Sequence, residues 1–360
     1  MSDGAPSDSS TPTQAPQPPV KPEYAPATSA EDVLPAVTAP TMALVAQLFL
    51  IPLLIVSIIV VVWLGVNWMV NVGGDPEKYV KDLQNPGPGS WQSAASLADM
   101  LRSPRNDALK RDTVLCRRLA ETLENQIQKE EMSKPALDLR VFLCRALGEF
   151  YITDGLPVLI TAATTERDPK ELVVRLAAIE AIAVLADNTD PALLLENSKL
   201  LPALRKAARE RSTGSEEEKF RGELRARAAF ALGVLGGERA LDELDVLCGD
   251  GFPDARYNAA VGLARNGDTR GSDVLIEMLD PEETNVVAGE EEETAIAWKR
   301  ALVMINALEA IERLAEVSPE ADLTKIEAAV HDLENAKLDK LIAGRIHTEA
   351  KEVGARLEQR

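Results

Sequence analysis

Four segments of this chain share one local pattern, and that pattern constrains the fold more than any other feature. Arg140, Arg175, Arg225 and Arg256 are each followed, at the sixth and seventh positions, by a small residue and then a larger aliphatic one. Successive arginines lie 35, 50 and 31 residues apart. Helical hairpins that stack into a solenoid repeat on this scale. The spacing predicts a stack of similar helical pairs that serves as a binding scaffold.

A buried stripe accompanies each arginine. Counted from the arginine, positions three, six, seven and ten share one helical face. They are Leu143, Ala146, Leu147 and Phe150; Ala178, Ala181, Ile182 and Leu185; Ala228, Ala231, Leu232 and Leu235; and Ala259, Gly262, Leu263 and Asn266. Position eight is small in every copy, so a neighbouring helix can approach closely there: Gly148, Ala183, Gly233 and Ala264. We expect Asn266, the polar exception, to mark a helix end.

Acidic residues stand two positions before three of the arginines, as Asp138, Glu223 and Asp254. A carboxylate at a helix start can cap free backbone N–H groups, and an arginine can pair with a carboxylate of the adjoining repeat. We therefore expect the four arginines to be structural rather than chemical.

With Leu139-Arg140, Ala146-Leu147-Gly148 and the Ala-Leu-Gly-Val-Leu-Gly segment at 231–236, the chain resembles the HEAT-repeat family, including its short bacterial repeats of the phycobilin-lyase type. The resemblance is clear over 136–280 and weaker on both sides. It implies an all-α fold, an α-solenoid of about five helical hairpins, in which Asp and Arg form a ladder between repeats. The low aromatic content, 4%, also favours helices over sheets.

The sequence divides into five segments. Residues 1–40 are rich in Pro, Ser and Thr and predict a disordered tail. A transmembrane helix is expected over 42–70 and a Gly/Pro linker over 71–89. The solenoid follows over 90–318, and one or two capping or projecting helices over 319–360. The predicted pairs are 107–130 with 136–150, 155–166 with 169–186, 199–210 with 217–235, 238–248 with 253–265, and 271–279 with 292–316.

Two acidic segments, 211–219 and 281–293, depart from the repeat pattern. Such charge runs are typical of solvated loops, and on one rim of a solenoid they could instead steer a basic partner.

The apolar run from Met42 to Val66 contains no charged residue. As a helix it is about 37 Å long, enough to cross a hydrocarbon core of about 30 Å. Trp63 and Trp68 lie near its end, where an interfacial anchor is expected. The run begins far from the N-terminus and lacks a basic leader, so it predicts a single-pass anchor, in a bacterial inner membrane, rather than a cleaved signal peptide.

Orientation in the membrane is weakly determined. Lys78 and Lys81 follow the span and only Lys21 precedes it, which favours a cytoplasmic solenoid and leaves the opposite topology open.

The net charge of the chain limits the classes of partner that it can bind. The net charge is −19 and no basic cluster is evident, which excludes nucleic-acid binding and gives the domain no attraction to anionic lipid.

The three cysteines form no close pair. Cys144 takes position four of its repeat, so we expect a small core residue there and no disulfide framework.

A second face of each repeat is the candidate for binding a protein partner. Positions two, five and nine lie beside the buried stripe and vary among the copies. They are Phe142, Arg145 and Glu149; Ala177, Glu180 and Val184; Arg227, Phe230 and Val234; and Asn258, Val261 and Arg265. If the resemblance holds, these residues line a mixed apolar and charged groove for an extended segment or a helix. Alternatively, Phe142 and Phe230 pack between neighbouring repeats.

Catalytic signals are weak. His331 and His347 are the only histidines, with no metal-ligand spacing around them. The sequence carries no phosphate loop or nucleophile elbow. We therefore expect no enzyme activity, no cofactor and no metal.

An apolar stripe ends the chain: Leu338, Leu341, Ile342, Ile346, Ala350, Val353 and Leu357. It predicts helices that cap the last repeat or that project and form a homodimer.

The sequence as a whole predicts a membrane-anchored scaffold or adaptor that binds a protein through its solenoid. Two alternatives remain: a phycobilin-lyase-like enzyme, as the resemblance implies, and an envelope assembly factor whose solenoid lies on the periplasmic side.

Overall fold

The computed structural model describes residues 42–71, 76–211, 215–287 and 290–360, and the tail predicted over 1–40 lies outside them. The chain divides into two compact units, one ending at Val72 and the other beginning at Gly73. Within the described residues the regular elements are helices, as predicted. The α-helices are α1 (Met42–Asn71), α2 (Pro76–Gln84), α3 (Ser90–Arg102), α4 (Asp107–Lys110), α5 (Thr113–Gln128), α6 (Lys134–Gly148), α7 (Leu156–Thr164), α8 (Leu172–Asn188), α9 (Pro191–Leu195), α10 (Leu200–Ala208), α11 (Ser215–Leu235), α12 (Glu238–Leu247), α13 (Pro253–Arg265), α14 (Ser272–Leu279), α15 (Glu293–Val317), α16 (Thr324–Glu334) and α17 (Ala343–Leu357).

The first unit contains α1. Its stretch Leu48–Gly65 has a mean hydropathy of 2.9, and none of it is buried inside the protein. Pro52 lies within the helix without ending it. The helix is thus long and apolar enough to cross a membrane.

The second unit is an α-solenoid. Its hairpins pair α2 with α3, α5 with α6, α7 with α8, α10 with α11, α12 with α13, α14 with α15, and α16 with α17. The first members of these pairs form one layer, and the second members, α3, α6, α8, α11, α13, α15 and α17, form the other. The five predicted pairs are present, and one further hairpin extends the stack at each end.

The prediction of a linker over 71–89 is wrong for residues 76–84. Pro76–Gln84 forms the helix α2, in which Val80 and Leu83 are buried, and α2 packs on α3 and α5. Val80 and Leu83 are three residues apart and so share one helical face. The glycines and prolines on both sides of this short segment masked that amphipathic pattern.

The acidic segment 211–219 is also only partly a loop. Residues 212–214 lie outside the described part, but α11 begins at Ser215, and Glu218 accepts a hydrogen bond from Arg225. The extra length between Arg175 and Arg225 is further explained by the short helix α9.

The second helices approach one another closely where position eight is a glycine. A Cβ on Gly148 would lie 2.8 Å from the carbonyl oxygen of Ala181, and one on Gly233 would lie 2.7 Å from the Cα of Gly262. The close approach predicted from the small residues is therefore confirmed at these two positions.

Buried or partly buried ion pairs tie each repeat to the next. The guanidinium of Arg140 donates to Glu171 (2.9 Å), which lies just before α8. Arg175 donates to Glu210 (2.5 Å), and Arg256 donates to Glu277. The expected pairing with carboxylates of the adjoining repeat is confirmed.

The predicted capping role of the upstream acids is wrong. Asp138 lies inside α6, where it accepts a hydrogen bond from Lys134 (2.7 Å), and Glu223 lies inside α11. Asp254 is the second residue of α13, whose N-cap is Phe252. Each of these helices begins at least two residues earlier than a capping role would require.

The C-terminal stripe closes the array. Ile342, Ile346, Ala350 and Val353 are buried, and α17 packs on α15 and α16. Leu341, in contrast, is 57% exposed. Most of the stripe is therefore used within the chain and is not free to pair with a second copy.

Candidate protein-binding surface

The residues at positions two, five and nine of α6, α8, α11 and α13 define what we call the inner surface. Helices pack about 8–10 Å apart, so side chains two hairpins apart do not normally meet. Arg265 of α13 nevertheless donates to Asp187 of α8 across α11, at 2.7 Å. The second-helix layer therefore curves inward, and these residues lie on its concave side.

At the N-terminal end of the inner surface, aromatic stacking fixes Phe142. Its ring stacks on Trp91 of α3 with centroids 6.0 Å apart, and the guanidinium of Arg145 lies 5.3 Å from its centroid. Phe142 is thus a packing residue between α3 and α6, whereas Arg145 is exposed. Trp91 was not singled out from the sequence because α3 carries no arginine motif.

Glu149 is buried and accepts a hydrogen bond from Arg102 (3.1 Å). Ala177 and Val234 are also buried. These three positions support the repeat-to-repeat contacts and are not available to a partner.

The centre of the inner surface carries its exposed groups. Phe230 of α11 is 44% exposed. One turn earlier, Arg227 pairs with Glu180 of α8 (3.1 Å), with both side chains partly exposed. Val184, one turn after Glu180 on α8, is half-buried. Phe230 therefore does not pack between repeats as Phe142 does.

Toward the C-terminal end, Asn258 donates to the carbonyl oxygen of Ala226 (3.0 Å), which ties α13 to α11. Val261 is half-buried and Arg265 is exposed. Asn266 follows α13 as its C-cap and donates to the carbonyl of Gly233 (2.8 Å), so the expected helix end is confirmed.

The inner surface thus presents an apolar centre, Phe230 and Val184, bordered by cationic side chains. These cationic side chains are the exposed arginines Arg145, Arg227 and Arg265. The acids that accompany them, Glu149, Glu180 and Asp187, are each engaged with an arginine.

Chemically reactive groups are sparse. Among the described residues, no group of three or more His, Cys, Asp or Glu side chains is arranged to hold a metal ion. Cys144 is buried as predicted, and burial raises the pKa of its thiol to about 12, which keeps it protonated at neutral pH.

Comparison with known proteins supports a HEAT-repeat protein. The family model described as HEAT repeats matches residues 217–295. This stretch covers most of α11, all of α12, α13 and α14, and the start of α15. No curated protein matches the chain. A helical repeat scaffold is the role that such repeats indicate.

Proposed function

We propose that this protein is a membrane-anchored scaffold that binds a protein partner on the inner surface of its solenoid. The observation that supports this most directly is Phe230. A large aromatic side chain that is 44% exposed at the centre of a concave helical layer contributes less to the core than a buried one would. Aromatic and arginine side chains are also the residue types that most often dominate binding energy at interfaces.

Arg227 and Arg265 complement this centre. Each forms a partly exposed ion pair, and such pairs stabilise a fold by only about 0–1 kcal/mol. The arginines can therefore be recruited by a partner at little cost to the solenoid. An extended segment or a helix fits a repeat groove of this kind.

Replacing Arg227 and Phe230 together with alanine should abolish most partner capture while shifting the thermal unfolding midpoint by no more than about 2 °C. Capture is measured by photocrosslinking in intact cells from a reactive residue placed at Val184. A reactive residue at Val246, exposed on α12 in the other layer, is the matched control. A midpoint that falls by several degrees would show instead that Arg227 and Phe230 belong to the core.

Membrane anchoring rests on α1. The full chain should sediment with membranes and resist carbonate extraction, because the apolar run of α1 gains free energy in hydrocarbon. Deleting 42–71 should move the chain to the soluble fraction, whereas Pro52→Leu should leave it integrated. Release of the intact full-length chain by carbonate would contradict the proposal.

Cells that contain the full chain also show on which side of the membrane the solenoid lies. Protease added to right-side-out cells should leave 90–360 intact if the solenoid is cytoplasmic. Digestion of that region would place it outside the cytoplasmic membrane and support the envelope assembly role instead.

A further inference from the structure

The last long second helix, α15, carries the same buried stripe as the arginine-bearing helices. Met304, Ala307, Leu308 and Ile311 are fully buried at the spacing of positions three, six, seven and ten. Ala301 therefore stands where the arginine stands in the earlier copies. This register identifies which side of α15 corresponds to each side of the other second helices.

In the earlier copies, one side of each second helix packs on the next second helix. Gly148 at position eight of α6 lies against Ala181 of α8, and Gly233 at position eight of α11 lies against Gly262 of α13. Positions one and minus three lie on the same side of a helix as position eight. We call this side the stacking face.

Within the part of the chain that the structure describes, the stacking face of α15 is largely exposed. Trp298, at position minus three, is 57% exposed, and Leu302, at position one, is 58% exposed. Glu309, at position eight, is exposed as well. The following helix α17 packs on α15 toward the C-terminal end of α15, where Arg356 pairs with Glu312. Although α17 follows α15 in the second-helix layer, Trp298 and Leu302 thus remain exposed on a side that faces the next second helix in the preceding repeats.

Acidic residues precede this face in the chain. Glu290, Glu291, Glu292 and Glu293 are all exposed at the start of α15. Lys299 pairs with Glu290 at 3.5 Å and offsets one of these charges. The segment that leads into Trp298 is therefore net negative even when Lys299 and Arg300 are counted, in contrast to the arginine-bordered inner surface.

We propose that the stacking face of α15 binds a basic amphipathic helix of a partner protein. Apolar residues at i and i+4 of that helix pack on Trp298 and Leu302, in the place that the next second helix takes in the earlier repeats. Its Lys and Arg residues lie beside Glu290–Glu293 and against the ring of Trp298, which attracts cations. A second copy of this face would bring like charges together and is disfavoured.

The test uses the full chain in nanodiscs of zwitterionic lipid. The probe is a fluorescein-labelled peptide of about 18 residues, long enough to form a helix, built from Leu and Lys in amphipathic order. The same peptide with Glu in place of Lys is its control. Fluorescence anisotropy should show binding of the Lys peptide and at least about tenfold weaker binding of the Glu peptide.

Trp298→Ala with Leu302→Ala should weaken binding of the Lys peptide at least about tenfold. The matched control is Leu193→Ala with Val246→Ala, a pair of similarly exposed apolar side chains elsewhere on the solenoid, which should change binding less than about twofold. Replacing Glu290–Glu293 with glutamine, or raising the salt concentration, should also weaken binding.

Three results would overturn the proposal. One is undetectable binding of the Lys peptide to the wild-type chain. Another is equal binding to the wild-type chain and to the Trp298 and Leu302 double variant, when both have the same unfolding midpoint. The third is sedimentation that shows a dimer of the wild-type chain and a monomer of the double variant, which would assign the face to a second copy.

Discussion

Arg225→Met is expected to lower the free energy of unfolding by about 3–5 kcal/mol, because it breaks a buried ion pair by removing one partner. Arg225 is 1% exposed. Its Nε donates to one carboxylate oxygen of Asp250 (2.9 Å) and its Nη2 to the other (3.0 Å). Methionine fills part of the volume but leaves the buried carboxylate with Arg211 (2.9 Å), a largely exposed residue, as its remaining cationic partner.

Thermal unfolding of the full chain in nonionic detergent, followed by circular dichroism, measures this effect. In a unit of this size the loss corresponds to a fall of at least about 6 °C in the midpoint. Hydrogen exchange should locate the loss of protection in α11 and α13, because repeats interact mainly with their neighbours.

The matched control is Arg265→Met. Arg265 also lies on a second helix and is ion-paired, but its side chain is 49% exposed and that of Asp187 is 63% exposed. Exposed pairs contribute about 0–1 kcal/mol, so this variant should unfold within about 3 °C of the wild type. Equal midpoints for the two variants would contradict the structural role of the Arg225 pair.

Acid should weaken the same contact. Burial alone would raise the pKa of Asp250, but hydrogen bonds from Arg225 and from the Phe252 amide outweigh it and hold the pKa below its usual value. The pair therefore stabilises the fold above the unfolded pKa of about 3.9, and this stabilisation is lost as pH falls from there through the folded pKa. The midpoint of Arg225→Met should depend less on pH in this acidic range than that of Arg265→Met.

Gly233→Val should produce the second large effect. A Cβ at this position would lie 2.7 Å from the Cα of Gly262, and backbone cannot move aside as a flexible side chain can. Overpacking of this kind costs about 1–3 kcal/mol or more, and valine is also a poorer helix former than alanine. We expect the midpoint to fall by about 5 °C or more as α11 and α13 separate.

Gly344→Ala is the control for Gly233→Val. Gly344 lies inside α17, and a Cβ there would meet nothing within 4 Å. Alanine in a helix is favoured over glycine by up to about 1 kcal/mol, so this variant should unfold at the wild-type midpoint or slightly above it. If Gly233→Val unfolds like Gly344→Ala, the helices α11 and α13 do not stack as closely as described.

The repeat arginines show what a local sequence pattern can predict and what it cannot. Their spacing and the stripe beside them predicted the helical pairs, and the structure places those pairs within a few residues of the predicted bounds. The partners of the arginines were not predictable in the same way. Glu171, Asp250 and Glu277 lie 31, 25 and 21 residues after the arginines they bind, and only folding brings them together.

The repeat register predicted which residues form the candidate inner surface, but packing decided which of them are exposed. Glu149 and Val234 occupy the predicted positions and are nevertheless buried, because the neighbouring helices cover them. Phe142 and Phe230 both occupy positions predicted to line the inner surface, yet Phe142 stacks on a tryptophan of the adjoining helix and Phe230 remains 44% exposed. Burial depends on what lies opposite, which local periodicity does not encode.

The sequence by itself determined the helical class, the repeat unit and the apolar helix α1, since these follow from periodicity within short segments. It also placed the arginines in a structural role. The tertiary structure alone decided that α2 is a packed helix, that Phe230 is exposed, and that Trp298 near the start of α15 is exposed. Each of these depends on contacts between residues far apart in the chain, which exist only once the hairpins have stacked.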